Sequence, residues 1–330
     1  MTTASLARNI FALALAPLLL PCLQPPSAAA QSYPSHRITL IVPYTPGSGF
    51  DIVARTVGQK LSERWGQPVV VESKPGASGT LGTEMVANAA PDGHTLLVSG
   101  APLTVYPSLV KSLRFDPATS FTPIGVVVTS SVALTVNPAV LPVNSVAELI
   151  AAVKAQPGKL NYSSPGIGTL QQLGMELFKQ QLGLDVLHVP YRGASGALTD
   201  FLTGQVHFTY LPVNTALPQA QSGKLRMLAV ASSKRSPMAP DVPSLHELGY
   251  ASLDFDLWFG FLAPANLPGA IVRLWEQELA AISAMPDVQE SFRKQGLTPA
   301  YLDSAKTAAL IKSEMVRWRE VAEKAGIKPE

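Results

Sequence analysis

Residues 38–65 read ITLIVPYTPGSGFDIVARTVGQKLSERW and contain the unit on which the fold depends. The stretch opens with an apolar run typical of a buried strand, after which Val53, Val57 and Leu61 recur at the spacing of one helical face. Between these two patterns, residues 43–51 contain two glycines and no lysine, arginine, histidine or cysteine. The sequence therefore predicts a strand, a glycine loop and a helix in succession.

The alternation of apolar runs and helical patterns continues along the chain. In the first unit we expect strands at residues 69–73 and 94–99, with a short helix at residues 83–90 between them. The later predicted elements are a capped helix from Ser145 to about residue 155, strands at 159–164, 188–191 and 225–232, and helices at 170–183, from 197, at 269–284, at 286–295 and at 304–325. This order favours an α/β fold with a mostly parallel sheet and helices on both faces.

The N-terminal 30 residues have the pattern of an export signal. Arg8 precedes the apolar run IFALALAPLLL, and Ala28 and Ala30 have the spacing of small residues at a cleavage site. The apolar run is too short to span a bilayer comfortably. We therefore expect a soluble protein that is exported to the periplasm, with its signal peptide (residues 1–30) cleaved near Ala30.

Composition excludes several classes of function. Cys22 is the only cysteine and lies within the predicted signal, so the mature chain offers no disulfide and no thiolate metal site. Loss of Arg8 lowers the 25 basic residues to 24, against 23 acidic ones, so the net charge is near +1. That balance is unlike the basic face of a nucleic-acid binder. The five histidines show neither HExxH nor a close pair, so we expect no metal and no cofactor.

The first glycine loop has the features of an anion site. It joins the end of a strand to the start of a helix, where backbone N–H groups are unpaired and partial positive charge favours an anion. Glycines allow those amides to approach a ligand closely. Ser48 adds a hydroxyl, and Asp51 is expected to cap or orient the amides of the loop itself. A turn without a ligand stays the alternative for this loop alone. The dinucleotide motif is incomplete here, and no G-x-x-x-x-G-K-S/T occurs in the sequence, which excludes a phosphate loop with its lysine.

A second loop repeats this chemistry. Residues 162–169, YSSPGIGT, combine hydroxyls with two spaced glycines and precede a helix. Two such helix starts in two units predict a ligand that is held from both sides, such as a molecule with one carboxylate and a second polar end. A third glycine loop, KPGASGT at residues 74–80, either lines the same cleft or only forms a turn.

Signatures of an enzyme are weak. Ser108 and Lys111 match S-x-x-K, but neither the SDN and KTG partners nor a GxSxG motif occurs. A hydrolase needs a nucleophile beside an oriented base, and the sequence ties no histidine–carboxylate arrangement to a serine. A binding protein is therefore favoured over the alternative of an exported hydrolase.

Six collinear segments resemble the Bug family, the extracytoplasmic substrate-binding receptors of tripartite tricarboxylate transporters. They are ITLIVPYTPGSGFDIVAR, GQPVVVESKPGASGTLGTEMVANAAPDGHTLL, YSSPGIGT, HVPYRGASGALTDFLTGQV, SGKLRMLAVASSKRSP and DVPSLHELGY. The resemblance covers essentially the whole mature chain. It implies a two-lobed Venus flytrap of the type II periplasmic-binding-protein kind, in which lobe 1 comprises residues 31–132 plus 231–330 and lobe 2 comprises residues 133–230.

The same resemblance implies a carboxylate held by backbone amides and hydroxyls of the two loops, together with ordered waters. The ligand-binding residues it implies are Tyr44, Gly47, Ser48, Gly49, Phe50 and Asp51 from the first loop, Ser163, Ser164, Gly166, Gly168, Thr169 and Gln172 from the second, and Tyr191, Gly193, Tyr210 and Trp258 from elsewhere. No catalytic residue is implied. The lobes are expected to close about hinges near residues 132–135 and 228–231.

Departures from the family pattern refine the expected ligand. Phe50 replaces a small polar residue, and His207 and Tyr210 occupy positions that are often acidic. Less negative charge near the cleft disfavours a ligand amine, so we expect an aromatic or partly apolar carboxylate rather than an amino acid. The resemblance implies membrane subunits of a secondary transporter as partners of a monomeric receptor, and an orphan ligand sensor stays the alternative.

Overall fold

One long strand joins two sets of shorter strands. The structure is a computed structural model that describes residues 33–329, so the predicted signal peptide lies outside the described residues. The strands are β1 (Ile38–Val42), β2 (Val69–Ser73), β3 (Thr95–Gly100), β4 (Phe121–Val136), β5 (Asn161–Ser164), β6 (Leu187–Pro190), β7 (Phe208–Pro212), β8 (Arg226–Val230), β9 (Asp256–Pro264) and β10 (Thr298–Leu302).

The helices pack on these strands in the predicted alternation. They are α1 (Gly49–Trp65), α2 (Thr80–Ala87), α3 (Pro102–Leu109), α4 (Val146–Ala155), α5 (Leu170–Leu182), α6 (Ala194–Leu202), α7 (Val213–Gln221), α8 (Gly269–Ser283), α9 (Pro286–Lys294) and α10 (Ser304–Lys324). The sequence analysis predicted most of these elements, but it did not assign α3, α7, β4, β7, β9 or β10.

β4 runs through both sets of strands. The first set comprises β1, β2, β3, β9 and β10, and the second set comprises β5, β6, β7 and β8. Its residues 121–131 pair antiparallel with β9, and its residues 132–136 pair antiparallel with β7. The strand order is β2-β1-β3-β9-β4-β7-β5-β6, with β8 and β10 also paired to β4. β1 is parallel to β2 and β3, and β5 is parallel to β6 and β7, whereas the pairs around β4 and β9 are antiparallel. The α/β class with mixed sheets is therefore confirmed.

Strand direction aims the two glycine loops at the same region. β1 runs in the direction of β4, because β3 and β4 are both antiparallel to β9 and β1 is parallel to β3. β5 runs against β4, because β4 is antiparallel to β7 and β7 is parallel to β5. The carboxyl end of β1 therefore points toward the second set of strands. The carboxyl end of β5 points toward the first.

The return from the second set to the first comes later than the predicted boundary at residue 231. Ala239 packs with Ala133 and Val230, and the Leu245 N–H donates to the Val230 carbonyl oxygen at 2.8 Å. Residues 239–245 therefore still pack against the second set of strands. The chain rejoins the first set where β9 begins, because Asp256 pairs with Ser131 of β4.

Candidate functional site

The first glycine loop is closed by the helix that follows it. Ser48 is the N-cap of α1, and its Oγ accepts the Asp51 N–H at 3.3 Å. The Gly47 N–H donates to Asp51 Oδ2 at 3.0 Å. Among residues 33–329, the N–H groups of Gly49 and Phe50 have no acceptor. The first turn of α1 thus presents two unpaired amides at the positive end of a helix.

Gly47 has a different role from the one predicted for it. Its amide is occupied by Asp51, so this N–H is not open to a ligand. Its φ of 82° lies in the left-handed region that favours glycine. Gly47 therefore forms the turn that brings the loop back to the helix, and the open amides belong to Gly49 and Phe50. The expectation that Asp51 orients the amides of the loop agrees with this geometry.

A salt bridge balances the charge of Asp51. Both carboxylate oxygens accept from Arg55 Nε, at 3.1 and 3.0 Å, and Arg55 Nη2 lies 3.0 Å from Oδ1. The hydrogen bond from Arg55 is the largest cause that lowers the pKa of Asp51 below its usual range. The loop therefore contains an ionised carboxylate whose charge is compensated four residues along the same helix.

Aromatic rings cover one side of the first loop. Tyr44 stacks on Phe50 with centroids 4.5 Å apart, and Phe50 packs on Phe259 at 4.6 Å. The Tyr44 hydroxyl lies 3.1 Å from the Tyr106 hydroxyl, which donates to the Ser78 carbonyl oxygen at 3.0 Å. These contacts place the third glycine loop beside the first.

The second loop repeats the geometry of the first. Thr169 is the N-cap of α5, and its Oγ1 accepts the Gln172 N–H at 3.4 Å. The Gly168 N–H donates to Gln172 Oε1 at 2.5 Å, and Gly168 has a φ of 79°. Within the described part of the chain, the N–H groups of Leu170 and Gln171 have no acceptor. Again the glycine amide is occupied, and the two amides of the first helical turn are open.

His188, which the sequence analysis did not select, contacts two side chains of the second loop. His188 Nδ1 lies 3.2 Å from Gln172 Nε2, and His188 Nε2 lies 2.7 Å from Ser164 Oγ. Ser164 Oγ in turn lies 3.0 Å from the Gly166 carbonyl oxygen. The imidazole also stacks on the Tyr162 ring with centroids 4.7 Å apart. β6 places His188 directly opposite Tyr162, which explains how residues distant in sequence meet here.

The contact between Ser164 and His188 is a serine–histidine pair that the sequence analysis missed. The amide nitrogen of Gln172 can only donate, so His188 Nδ1 accepts and Nε2 carries the proton toward Ser164. A general base would instead accept the proton of the serine. Ser164 donates that proton to the Gly166 carbonyl oxygen. The pair therefore organises the loop and does not activate a nucleophile.

The motif after β6 braces the second loop. The Tyr191 N–H donates to the Ser164 carbonyl oxygen at 3.0 Å, and the Gly193 N–H donates to the Pro165 carbonyl oxygen at 2.8 Å. The Tyr191 hydroxyl donates to Asp200 Oδ2 at 2.7 Å. Tyr191 and Gly193 were predicted to bind the ligand, but these donors are occupied by the protein itself.

Four predicted ligand-binding side chains are almost fully buried. Ser163, Ser164, Tyr210 and Trp258 are at most 2% exposed. The Tyr210 ring packs edge-on against Phe255, with centroids 5.2 Å apart. The Trp258 indole N–H donates to Glu314 Oε2 at 2.9 Å. Ser163 and Ser164 end β5 at the second loop, whereas Tyr210 on β7 and Trp258 on β9 lie in the core. Among the described residues, the Ser163 and Tyr210 hydroxyls have no hydrogen-bond partner.

Two surface cavities lie away from the loops. One, of about 300 Å³, separates α5 from the end of α10, and the other, of about 360 Å³, lies beside the start of α4. Neither is lined by a predicted ligand-binding residue. We place the candidate site at the loops, because their open amides offer anion-binding chemistry that these shallow concavities do not.

The fold also brings together two histidines that are far apart in sequence. His36 stacks on His94 with ring centroids 3.7 Å apart and planes 11° apart, and Asp92 completes a group whose ligand atoms lie within 4.8 Å of one another. An imidazole binds a metal in the plane of its ring. Two rings stacked face to face at this distance cannot both direct an in-plane lone pair at one ion, so the geometry favours a stack over a metal centre.

Comparison with known proteins decides the family. The family described as the tripartite tricarboxylate transporter family receptor matches residues 53–327. This chain belongs to that family. The receptor is 35% identical over 302 residues to protein BugT of Bordetella pertussis, across 91% of this chain and 92% of BugT.

Solved structures agree with this assignment. The receptor is similar to the periplasmic binding protein BugD, with 33% identity and a TM-score of 0.72 over 90% of this chain and 100% of BugD. It is also similar to the R. palustris protein Rpa4515 with adipate, with 32% identity and a TM-score of 0.76 over 90% of this chain and 100% of that one.

The comparisons confirm the resemblance to the Bug family and the two-lobed periplasmic-binding-protein fold. The receptor is a solute-binding protein and not an enzyme, so the hydrolase alternative is dismissed. Across residues 33–329, the structure contains no helix with the length and apolar character needed to cross a membrane.

Proposed function

We propose that the receptor captures a small carboxylate in the periplasm and presents it to the membrane subunits of a tripartite transporter. The observation that carries this proposal is the pair of matching helix starts, each with two open amides: Gly49 and Phe50 on α1, and Leu170 and Gln171 on α5. The strand directions point both helix starts toward the region between the two sets of strands.

The electrostatics of both loops support an anionic ligand. Hydrogen bonds to an ionised carboxylate are roughly twice as strong as neutral ones, and a helix start adds a favourable dipole. Asp51 does not oppose the ligand, because Arg55 compensates its charge. Gln172, at the matching place in the second loop, is neutral. Peptide groups thus supply the attraction in each loop without a lysine or arginine in the loop itself.

The aromatic side of the first loop supports a ligand with an apolar portion. Tyr44, Phe50 and Phe259 form a continuous aromatic cluster next to the first turn of α1, in which Tyr44 stacks on Phe50 and Phe259 is tilted against it. Rpa4515 was solved with adipate, a ligand in which a chain of methylene groups separates two carboxylates. We therefore infer a carboxylate with an apolar body as the ligand class, in agreement with the expectation from Phe50.

Closure of the two lobes is the proposed motion. The lobes follow the two sets of strands, and we place the hinges where β4 passes from β9 to β7, near Ser131 and Val132, and where the chain returns at Asp256. A ligand bound to both helix starts would favour the closed state in proportion to its contacts with both lobes.

Calorimetry tests the binding proposal. The purified receptor is titrated with small mono- and dicarboxylates, including adipate, and each acid is paired with its neutral amide, such as adipamide. We expect at least one carboxylate to bind and its amide to bind at least tenfold more weakly, because charge-assisted hydrogen bonds would be lost. Equal affinity for an acid and its amide, or no binding across the panel, would contradict the proposal.

A further inference from the structure

We infer that His188 is a positioning residue of the second loop, whose neutral imidazole fixes Gln172 and Ser164 so that the amides of Leu170 and Gln171 stay open. The part of this inference that concerns ligand affinity rests on the proposed function. The part that concerns the loop conformation does not. His188 has no contact with the open amides themselves and acts only through its two neighbours.

The hydrogen bonds form one directed chain. The Gly168 N–H donates to Gln172 Oε1, and Gln172 Nε2 donates to His188 Nδ1. His188 Nε2–H then donates to Ser164 Oγ, and Ser164 donates to the Gly166 carbonyl oxygen. The chain begins and ends on the two glycines of the loop. Every donor meets an acceptor only when the imidazole is neutral and carries its proton on Nε2.

The surroundings of the ring favour the neutral form. One face stacks on Tyr162, and α5 contributes Glu176 and Lys179, which form an ion pair at 2.9 Å. Burial is the largest effect and lowers the pKa of His188 to about 4, while Glu176 raises it and Lys179 lowers it further. The Tyr162 hydroxyl donates to Glu176 Oε1 at 2.6 Å, so the carboxylate is held by its own partners.

Protonation would break the chain at Gln172. A charged imidazole donates from both nitrogens, so His188 Nδ1–H would meet the Gln172 amide nitrogen, which is also a donor. Relief requires the Gln172 amide to flip, and the flip withdraws Oε1 from the Gly168 N–H. Gly168 has a left-handed φ of 79°, a conformation that this bond helps to hold. The state of His188 therefore determines the shape of the loop.

NMR of histidine-labelled protein tests the inference directly, with no ligand present. Imidazole ¹⁵N shifts distinguish the two neutral tautomers and the charged form. We expect His188 to be the neutral Nε2–H tautomer at pH 7. In Gln172→Glu the new side chain still accepts from Gly168 but cannot donate, so His188 should move its proton to Nδ1 or become charged. A wild-type His188 with its proton on Nδ1, or a charged one, would overturn the inference.

Affinity provides the second measurement. His188→Ala should weaken binding of adipate, or of the tightest acid in the panel above, by about tenfold, as expected for loss of buried hydrogen bonds. It should also shift the Gly168 amide resonance. His246→Ala, a change at an exposed histidine, is the matched control and should do neither. An unchanged Gly168 resonance in His188→Ala would contradict the inference even if no acid in the panel binds.

Discussion

The two glycine loops have the same backbone geometry but are closed by different side chains. Residues 47–51 (GSGFD) and 168–172 (GTLQQ) both begin with a left-handed glycine, continue with an N-cap hydroxyl, and end with a side chain that accepts the glycine N–H. The acceptor is a carboxylate in the first loop and a neutral amide in the second. What the geometry requires is an acceptor four residues after the glycine, and its charge is free to vary.

A negatively charged acceptor next to an anion site must nevertheless be compensated by a cation. In the first loop the Asp51 carboxylate is neutralised by Arg55 on the next turn of α1. In the second loop Gln172 needs no counterion, but its amide must be oriented, and His188 orients it. One loop is thus fixed by an ion pair within a helix, and the other by a hydrogen-bond chain that reaches a neighbouring strand.

Among the substitutions that distinguish the two loops, Gly47→Asp should have the largest effect on ligand affinity. The new carboxylate would stand beside the open amides of α1 and repel the ligand, so we expect affinity to fall by about a hundredfold or more. Gly47→Asn is the matched control, because asparagine has nearly the same shape and tolerates a left-handed φ. Calorimetry with the best-bound acid compares the two. Equal affinities of the Asp and Asn variants would remove the electrostatic argument.

Substituting alanine for Gly47 or for Gly168 should reduce stability by different amounts, because the two glycines are packed differently. At Gly47, a Cβ meets nothing within 4 Å, so Gly47→Ala should cost only the left-handed strain of about 1–2 kcal/mol. At Gly168 the Cβ would lie 2.5 Å from Leu109, so Gly168→Ala should cost about 1–3 kcal/mol more in unfolding free energy.

Urea unfolding measures the difference between the two alanine variants. Leu109→Ala combined with Gly168→Ala should recover part of the additional loss, because it removes the clashing side chain. If Gly47→Ala proves the more destabilising of the two, the described contact between α3 and the second loop is incorrect.

Acidification should release the second loop before the first. The pKa of His188 is lowered in the folded state, to about 4, so its contribution to stability is present above the unfolded value near 6.5 and is lost between about pH 6.5 and 4. The pKa of Asp51 is also lowered, so its contribution is lost only below the ordinary aspartate range, near pH 4.

Amide hydrogen-exchange protection factors at pH 7 and pH 5 check this order. We expect the Gly168 amide to lose protection at pH 5 while the Gly47 amide keeps it. His188→Gln, which has no group that titrates in this range, should abolish the difference between the two pH values. Equal losses at both glycines would show that the loops do not differ in the way described.

Asp51→Asn should have the smallest effect. Asparagine retains an acceptor for the Gly47 N–H and makes the first loop resemble the second. The Arg55 side chain is 57% exposed although that of Asp51 is only 6% exposed, so water can solvate the guanidinium in the variant and the loss should be about 1 kcal/mol of unfolding free energy. Asp51→Ala, which removes the acceptor, should be more destabilising. A severe loss in the Asn variant would mean that the charge is essential to the loop.

The sequence predicted the parts of the fold that depend on local patterns. α1 and α5 follow from apolar spacing after a glycine loop. Their N-caps, Ser48 and Thr169, had been selected as ligand-binding residues and not as caps. α3 and α7 were missed because Pro107 and Pro218 lie inside them, and proline inside an apolar pattern normally argues against a helix.

The candidate site was less accessible to sequence reasoning. Glycines and hydroxyls identified both loops, but the hydrogen bonds that occupy Gly47 and Gly168 depend on rotamers of Asp51 and Gln172. His188 lies 24 positions from Ser164 and meets it only through the pairing of β5 with β6. The family resemblance placed Trp258 at the cleft, and no sequence pattern reveals its buried partner on α10, Glu314.

A crystal structure of the receptor with its tightest carboxylate would show whether the backbone amides of the two helix starts hold the acid group. We expect carboxylate oxygens at about 3 Å from the amide nitrogens of Gly49 and Phe50, with a second polar group of the ligand at Leu170 and Gln171. An acid group held instead by a side-chain cation such as Arg55 or Arg192, or seated in the cavity between α5 and α10, would contradict this expectation.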